Sequence, residues 1–181
     1  MSDSDTVLPP AIKLAPGVTM EFLSDSAYIT RVHTEGGLEE EFNVPAHWHE
    51  RHDEIFHIVA GRMEVRIGDK KRFYTPEDGE ICIPRGVEHS IRVVKGEELI
   101  VEERTVPMDE EKALFFRNAF ADGRMCSSFF GLMQIMYHGD MRLVLPLHIK
   151  WLERMLVIAA GSYIAPLFGY TLPISSLKKD S

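Results

Sequence analysis

A long series of short runs of alternating apolar and polar residues is the feature that most constrains the fold of this chain. The runs include VTMEFLS, YITRVHT, EIFHIVAG and RMEVRIGD, and turn residues such as Gly61 and Gly68 separate them. Alternation is the pattern of a strand with one buried face, and several short strands at regular spacing are typical of a β-sandwich or barrel. No long helical pattern interrupts residues 18–106, so we predict one mainly β domain there.

The segments on either side of this range have a different character. Residues 1–17 begin with an acidic, polar stretch that ends in Pro9-Pro10, and we interpret them as a flexible tail. After Pro107 the period changes to that of helices: MDEEKALFFRNAFADG, SSFFGLMQIMYHGD and the stretch from Leu147 onward each predict one. We therefore expect a C-terminal helical extension over residues 107–181.

The composition of the chain bears on whether it binds nucleic acid and on the cellular compartment in which it resides. The net charge of −8 disfavours non-specific nucleic-acid binding, which needs a basic surface. The two cysteines lie far apart and match no zinc-site spacing, so a reducing compartment is the default. The start of the chain carries no apolar signal-peptide core, and we expect a cytoplasmic protein.

The segment HWHERHDEIFHIVAG, residues 47–61, carries the first group of candidate metal ligands. His47 and His49 are two residues apart, so both imidazoles can share one face of a strand. A short polar break follows, which lets the chain bend and bring the carboxylate of Glu54 to the same centre. His52, inside that break, is an alternative to Glu54.

A fourth ligand is expected from GEICIPRGVEHSIRVV, residues 79–94, where His89 begins a strand after the turn at Pro84-Arg85-Gly86. Three imidazoles and one carboxylate bind a divalent first-row metal and leave coordination positions open, as catalytic sites do. This ligand set suits Fe, Mn, Ni, Co, Cu or Zn and does not choose among them.

Together the two segments resemble the two sequence motifs of the cupin family. In the first motif two histidines and a glutamate precede a glycine, here His47, His49, Glu54 and Gly61; in the second the framework is Gly79, Pro84, Gly86 and His89. Glu41 stands where the first motif usually opens with Gly, and Val93 where the second usually ends in Asn. The resemblance covers residues 18–106 and implies a small jelly-roll barrel with one divalent metal inside, commonly paired as a homodimer.

Strand parity also predicts a pocket and some weaker candidates. The residues expected to share the inner face with the ligands are all apolar: Phe56, Ile58, Met63, Val65, Ile67, Ile91 and Val93. These residues either line an apolar pocket around the metal or pack in the hydrophobic core. Weaker candidates for binding a substrate or moving a proton, or else for an exposed charged strand face, are Arg31, His33, Glu102 and Arg104.

The segment from Met155 to Ile174 contains no charged residue, and its length meets the threshold for a transmembrane helix. Gly161, Pro166 and Gly169 interrupt it. We therefore favour helices that pack on the barrel or at a dimer interface, and attachment to a membrane is the alternative.

These features favour a metal-dependent enzyme that acts on a small, largely apolar, oxygenated substrate. The reaction could be isomerisation, dehydration, cyclisation, decarboxylation or dioxygenation, since the fold does not choose among them. In its apolar inner face and helical extension the chain resembles small cupins encoded beside fungal natural-product genes, which implies a polyketide- or terpenoid-like substrate.

The alternative function is a non-catalytic module that binds a small molecule. A transcription regulator is disfavoured because no helix-turn-helix pattern or basic patch is visible. A storage cupin is also disfavoured, because such chains have two barrels and usually lack the metal ligands.

Overall fold

The computed structural model describes residues 8–38, 40–109, 111–121 and 125–174. Within these ranges the chain forms strands that pair in two antiparallel sheets, followed by helices. The strands are β1 (Ala11–Ala15), β2 (Val18–Phe22), β3 (Thr30–Thr34), β4 (Asn43–His49), β5 (Asp53–Ala60), β6 (Met63–Ile67), β7 (Lys70–Tyr74), β8 (Glu80–Ile83), β9 (His89–Val93), β10 (Leu99–Val106) and β11 (Met141–Leu143).

The two sheets pack face to face and enclose the apolar core. One has the strand order β1-β2-β3-β10-β5-β8 and the other the order β11-β4-β9-β6-β7. The core takes side chains from both sheets, among them Phe56 and Leu99 from the first and Met63 and Val93 from the second. The expected mainly β jelly roll with C-terminal helices is therefore confirmed, and its strand series follows from the alternation seen in the sequence.

Two strands lie outside the range in which the sequence predicted them. Residues 11–15, interpreted as part of a flexible tail, form β1, which pairs with β2 at the edge of the larger sheet. Residues 141–143, interpreted as part of a helical extension, form β11, which pairs with β4 at the edge of the smaller sheet. Both runs are very short, and a short run shows too few alternations to be recognised without its partner strand.

The three predicted helical segments are present. They are α1 (Glu111–Ala119), α2 (Phe129–His138) and α3 (Lys150–Val157), and α3 continues through a π-helical turn (Ile158–Ile164) into the short α4 (Ala165–Leu167). Asp109 and Ser128 precede the first two helices, and their side chains accept hydrogen bonds from backbone N–H groups of the first turn.

The apolar segment 155–174 packs on the rest of the molecule through α2. A Cβ atom at Gly161 would lie 2.3 Å from the carbonyl oxygen of Met133, so only glycine permits this approach of the two backbones. The helix α3 is tied to β4, because the indole N–H of Trp48 donates to Glu153 Oε2 at 2.8 Å. In the part of the chain that the structure describes, no helix is both long enough and apolar enough to cross a membrane.

Candidate metal centre and cavity

Four buried side chains from the two sheets meet at one end of the space between the sheets. His47 and His49 come from β4 and His89 from β9, where it is the register partner of His47. Glu54 comes from β5 in the opposite sheet. One ligand atom from each of the four lies within 4.8 Å of those of the others. Atoms bound to one ion at about 2.1 Å lie no more than about 4.2 Å apart, so the set is close to the spacing that an ion requires.

Each of the three imidazoles has one ring nitrogen fixed by a backbone carbonyl. The Nδ1 atoms of His47, His49 and His89 lie 2.8, 2.9 and 3.0 Å from the carbonyl oxygens of Pro45, Asp140 and Val87. A carbonyl oxygen only accepts hydrogen bonds, so Nδ1 must carry the proton and Nε2 must present its lone pair. This is the form in which imidazole binds a metal.

The protonation of the site agrees with that role. Burial, together with the neighbouring imidazoles of His89 and His49, lowers the pKa of His47 well below its ordinary value. Burial also lowers the pKa of His49. The Nε2 atoms of His49 and His89 and the Oε2 atom of Glu54 are buried without a hydrogen-bond partner among the described residues. Orphaned acceptors that converge in this way fit a cation.

Glu54 belongs to a second cluster, which the sequence did not reveal. Lys112 of α1 donates a hydrogen bond to Glu54 Oε1 and lies 2.6 Å from Glu103 Oε1 of β10. Burial alone would raise the pKa of Glu54 and lower that of Lys112. The charge of Lys112 and then that of His49 lower the pKa of Glu54 instead, and the charges of Glu103 and then Glu54 raise the pKa of Lys112. Burial and the charge of Glu54 raise the pKa of Glu103 to about 8 against the attraction of Lys112. Lys112 therefore leaves Glu54 Oε2 to face the imidazoles, 3.0 Å from His89 Nε2.

Asp140, in the turn between α2 and β11, supports the site from outside. Besides accepting from His49 through its backbone, it accepts hydrogen bonds at Oδ2 from the backbone N–H groups of Glu50 and Arg51, at 3.1 and 2.7 Å. His52 Nδ1 lies 3.2 Å from the same oxygen. Burial opposes ionisation here, but these contacts lower the pKa of Asp140 to about 2. Asp140 thus fixes both the ring of His49 and the loop between β4 and β5.

His52 does not replace Glu54 in the four-residue group. It forms a separate group with His49 and Asp140 and stacks on the His49 ring at a centroid distance of 4.3 Å. Because His49 Nδ1 is already engaged by the Asp140 carbonyl, we interpret this second group as support for the His49 ring.

A cavity of about 280 Å³ opens beside the four converging side chains. Its wall combines the inner faces of the strands with the extension, which contributes Phe115, Phe116 and Ala119 from α1 and Met136 from α2. The polar side chains in the wall are Asn43, His47, His49, Glu54, Glu103 and Lys112. The cavity is therefore apolar except where it meets the candidate metal centre and the Lys112 cluster, as small-molecule sites usually are.

The seven residues predicted for the pocket divide into two groups. Those that line the cavity are Phe56, Met63, Ile91 and Val93. The other three, Ile58, Val65 and Ile67, lie in the apolar core between the sheets instead. Parity establishes which face of a strand points inward, but not where along the strand the core ends and the cavity begins.

The four weaker candidates lie away from the cavity, on the outer face of the larger sheet. Arg31 pairs with Glu102 at 2.6 Å, His33 with Glu98 at 2.8 Å and Arg104 with Glu80 at 3.0 Å. Arg31, His33, Glu102 and Arg104 therefore do not line the cavity, and their ion pairs agree with the alternative interpretation, a charged strand face. Glu102 and Glu103 are neighbours on β10, and alternation sends only Glu103 inward.

Sequence signals for two of the missed residues were present. Glu103 shares its strand face with the apolar Leu99 and Val101, which marks it as a charge on an inward face. Lys112 precedes Phe115, Phe116 and Ala119 by three, four and seven residues, so it shares their helix face. For Asp140 the sequence offers no signal, because its contact with His49 spans 91 residues.

Comparison with protein families agrees with this geometry. A model of the cupin domain matches residues 37–116, a range that includes both motifs and all four converging side chains. A protein of Arthrobotrys oligospora described as an oxidoreductase is 36% identical over 47 residues, which are 26% of this chain and 19% of that protein. This chain thus matches about a fifth of the length of that relative.

Solved structures that match part of this chain include two bacterial proteins. KdgF from Halomonas sp. is 22% identical with a TM-score of 0.40, and the match covers 51% of this chain and 82% of that one. The polyketide cyclase RemF from Streptomyces resistomycificus is 21% identical with a TM-score of 0.37, over 51% of this chain and 68% of that one. Residues 37–116 of this chain thus match the cupin domain, and the two-sheet jelly roll agrees with that match.

Proposed function

We propose that this protein is a metal-dependent enzyme acting on a small, largely apolar, oxygenated organic molecule, with one divalent ion held by His47, His49, Glu54 and His89. One observation carries the proposal. In all three histidines a backbone carbonyl holds Nδ1, which leaves Nε2 free to bind a metal. The three histidines converge with the Glu54 carboxylate at the edge of an apolar cavity. Three imidazoles and one carboxylate leave positions open for substrate.

The residues around the centre have separable tasks in this proposal. A divalent ion would supply Lewis-acid polarisation of a substrate oxygen, or activation of water or dioxygen. The apolar wall, with Phe115, Phe116 and Met136, holds the body of the substrate and excludes water. Glu103, a buried carboxyl group in the cavity wall, can hold or accept a proton there.

The reaction class depends on which metal the site selects. Turnover that requires oxygen and a redox-active metal would assign a dioxygenase, and oxygen-independent turnover with zinc would assign an isomerase, lyase or cyclase. A polyketide- or terpenoid-like substrate, as in secondary-metabolite biosynthesis, is our proposal within this class. The homodimer that the family resemblance implies stays a prediction, which light scattering of the purified protein would check.

Elemental analysis of the purified protein tests the proposal. We expect about one equivalent of metal in the wild type, as the ligand set requires, and its loss in His49→Ala and His89→Ala. His33→Ala is the matched control, because His33 is a half-exposed histidine paired with Glu98 on the outer face. Glu54→Gln is preferred to Glu54→Ala, since it keeps the size of a side chain that packs against buried Lys112.

Circular dichroism of each variant distinguishes loss of metal from loss of fold. Metal retained at one equivalent in folded His49→Ala would contradict the site assignment. A wild type that takes up no metal after reconstitution would contradict the proposed function. A full metal complement with no turnover on any metabolite offered would instead favour the non-catalytic binding module.

A further inference from the structure

Lys112 is placed where a lysine is rarely found. Its side chain is only 5% exposed, and it lies in the cavity wall among the aromatic residues of α1. Buried lysines persist when they are paired with opposite charge, and Glu54 and Glu103 provide that pairing. Neutralisation of the two carboxylates is a sufficient structural role in the absence of an ion.

The charge balance changes when a divalent ion is present. The ammonium of Lys112 and the two ionised carboxylates leave one net negative charge, and a divalent ion converts it to one net positive charge. If Glu103 carries its proton, the net positive charge is larger still. The positive balance therefore does not depend on the protonation of Glu103.

The residues that line the cavity do not supply the missing negative charge. Among the described residues that line the cavity, Glu54 and Glu103 are the acidic ones, and both already contact Lys112. The rest of the wall is mostly apolar, so it screens a charge less than water does. A ligand that completes this site is expected to bring the compensating charge.

Lys112 is also oriented to meet such a ligand. An ammonium has three N–H donors; one is donated to Glu54 Oε1, and Glu103 Oε1 lies 2.6 Å from Nζ as an ion-pair contact. The Phe116 ring centroid lies 5.4 Å from Nζ. Lys112 thus lines the cavity beside Glu54, whose other carboxylate oxygen faces the candidate metal centre.

We propose that the cavity selects a monoanionic head group, such as a carboxylate, enolate or phenolate, on an apolar body, and that Lys112 binds this head group beside the ion. The inference rests on the proposed metal site and names the class of substrate that the site accepts. Lys112 is thereby a specificity-determining residue contributed by α1.

The proposal is tested with two pairs of probes that differ in charge but hardly in shape: decanoate with decanamide, and 2-naphthoate with 2-naphthamide. Their affinities for the zinc-loaded protein are measured by isothermal titration calorimetry. We expect the wild type to bind at least one anion about tenfold or more tighter than its amide, the effect of a charge-assisted hydrogen bond. In Lys112→Met this preference should fall by roughly tenfold, with metal content and amide affinity retained.

Lys71→Met is the matched control, since Lys71 is a lysine paired with Glu64 at the surface, and it should keep the wild-type preference. A wild type that binds neither anion more tightly than its amide overturns the inference and needs no variant to do so. An unchanged preference in folded Lys112→Met overturns the role of Lys112. Failure of the proposed function is distinguishable, because it shows as absence of metal before any probe is added.

Discussion

In each histidine of the site, one ring nitrogen is hydrogen-bonded to the backbone and the other faces the candidate metal centre. The carbonyl oxygens of Pro45, Val87 and Asp140 hold the protonated nitrogens, so the tautomer is set before any ligand binds. Two of the three carbonyls lie only two residues from their histidine along the chain, which makes the arrangement local for His47 and His89. For His49 it depends on the turn at Asp140.

Glu64 gives a prediction of pH dependence at a residue remote from the site. Hydrogen bonds from Arg92, at 2.7 and 2.9 Å, and then the contact with Lys71 lower its pKa from 4.5 to about 2. A carboxyl group with a lowered pKa in the folded state stabilises it above the unfolded pKa, and this contribution is lost as pH falls toward the folded pKa.

We therefore expect Glu64→Gln to lower the free energy of unfolding at pH 7 by on the order of 1 kcal/mol, a figure reduced for the partial exposure of Arg92. The difference from the wild type should be constant above about pH 5 and should shrink between about pH 4.5 and pH 2. Urea unfolding at a series of pH values measures it. A difference that is equally large at pH 7 and at the lowest pH would contradict the ion pair as its cause.

At the scale of elements, the turn between α2 and β11 connects the extension to the candidate metal centre. Asp140 there has a backbone φ of 55°, is fully buried, and joins His49, the β4–β5 loop and His52. Removing its carboxylate would leave the backbone N–H groups of Glu50 and Arg51 without this acceptor, which costs stability when they are buried.

We predict that Asp140→Ala weakens metal affinity by roughly tenfold. The backbone carbonyl that accepts from His49 remains, but the carboxylate that holds the β4–β5 loop and His52, which stacks on the His49 ring, is lost. The substitution should also lower the free energy of unfolding of the metal-free protein by about 1–3 kcal/mol. Competition with a chromophoric chelator and urea unfolding measure the two effects.

Asp25→Ala is a close control for this prediction. Asp25 has nearly the same backbone φ, 52°, but is exposed in the turn between β2 and β3. Both substitutions therefore place alanine in a left-handed conformation, and the difference between them isolates the buried contacts of Asp140. Equal metal affinity in the two variants would show that the Asp140 carboxylate does not contribute to positioning His49.

At the scale of the whole molecule, the jelly roll and the extension are interdependent. The strand β11 completes the smaller sheet, α1 provides Lys112 and part of the cavity wall, and α3 receives the Trp48 hydrogen bond through Glu153. Because Glu153 also accepts from the backbone N–H of Leu145, a buried carboxylate links β4 to two parts of the extension.

We predict that the extension and the jelly roll unfold in one transition. The chain has two tryptophans, and Trp151→Phe removes the exposed one. Fluorescence then reports the surroundings of Trp48, which include Glu153 of α3. In urea, this signal and far-UV circular dichroism should give coincident midpoints, as two-state unfolding requires. A fluorescence change that precedes the loss of strand signal would show that the extension detaches independently.

Local patterns in the sequence were sufficient for the strand series, the three main helices and the four converging side chains. Alternation sets which side chains of a strand face inward, and the spacing of His47 and His49 places both rings on one face whatever the strand packs against. The edge strands β1 and β11 were not predicted, because a strand this short is recognisable only from the strand with which it pairs.

What only the tertiary structure decided is which distant groups meet the site and how far the cavity extends. Ile58, Val65 and Ile67 face inward as the sequence indicated, yet they fill the core, because depth along a strand depends on what packs across from it. Lys112 and Asp140 reach the centre from 58 and 91 residues away. The sequence by itself determined the face on which each side chain lies, since that is a property of the local backbone, whereas the pairing of faces is a property of the packed chain.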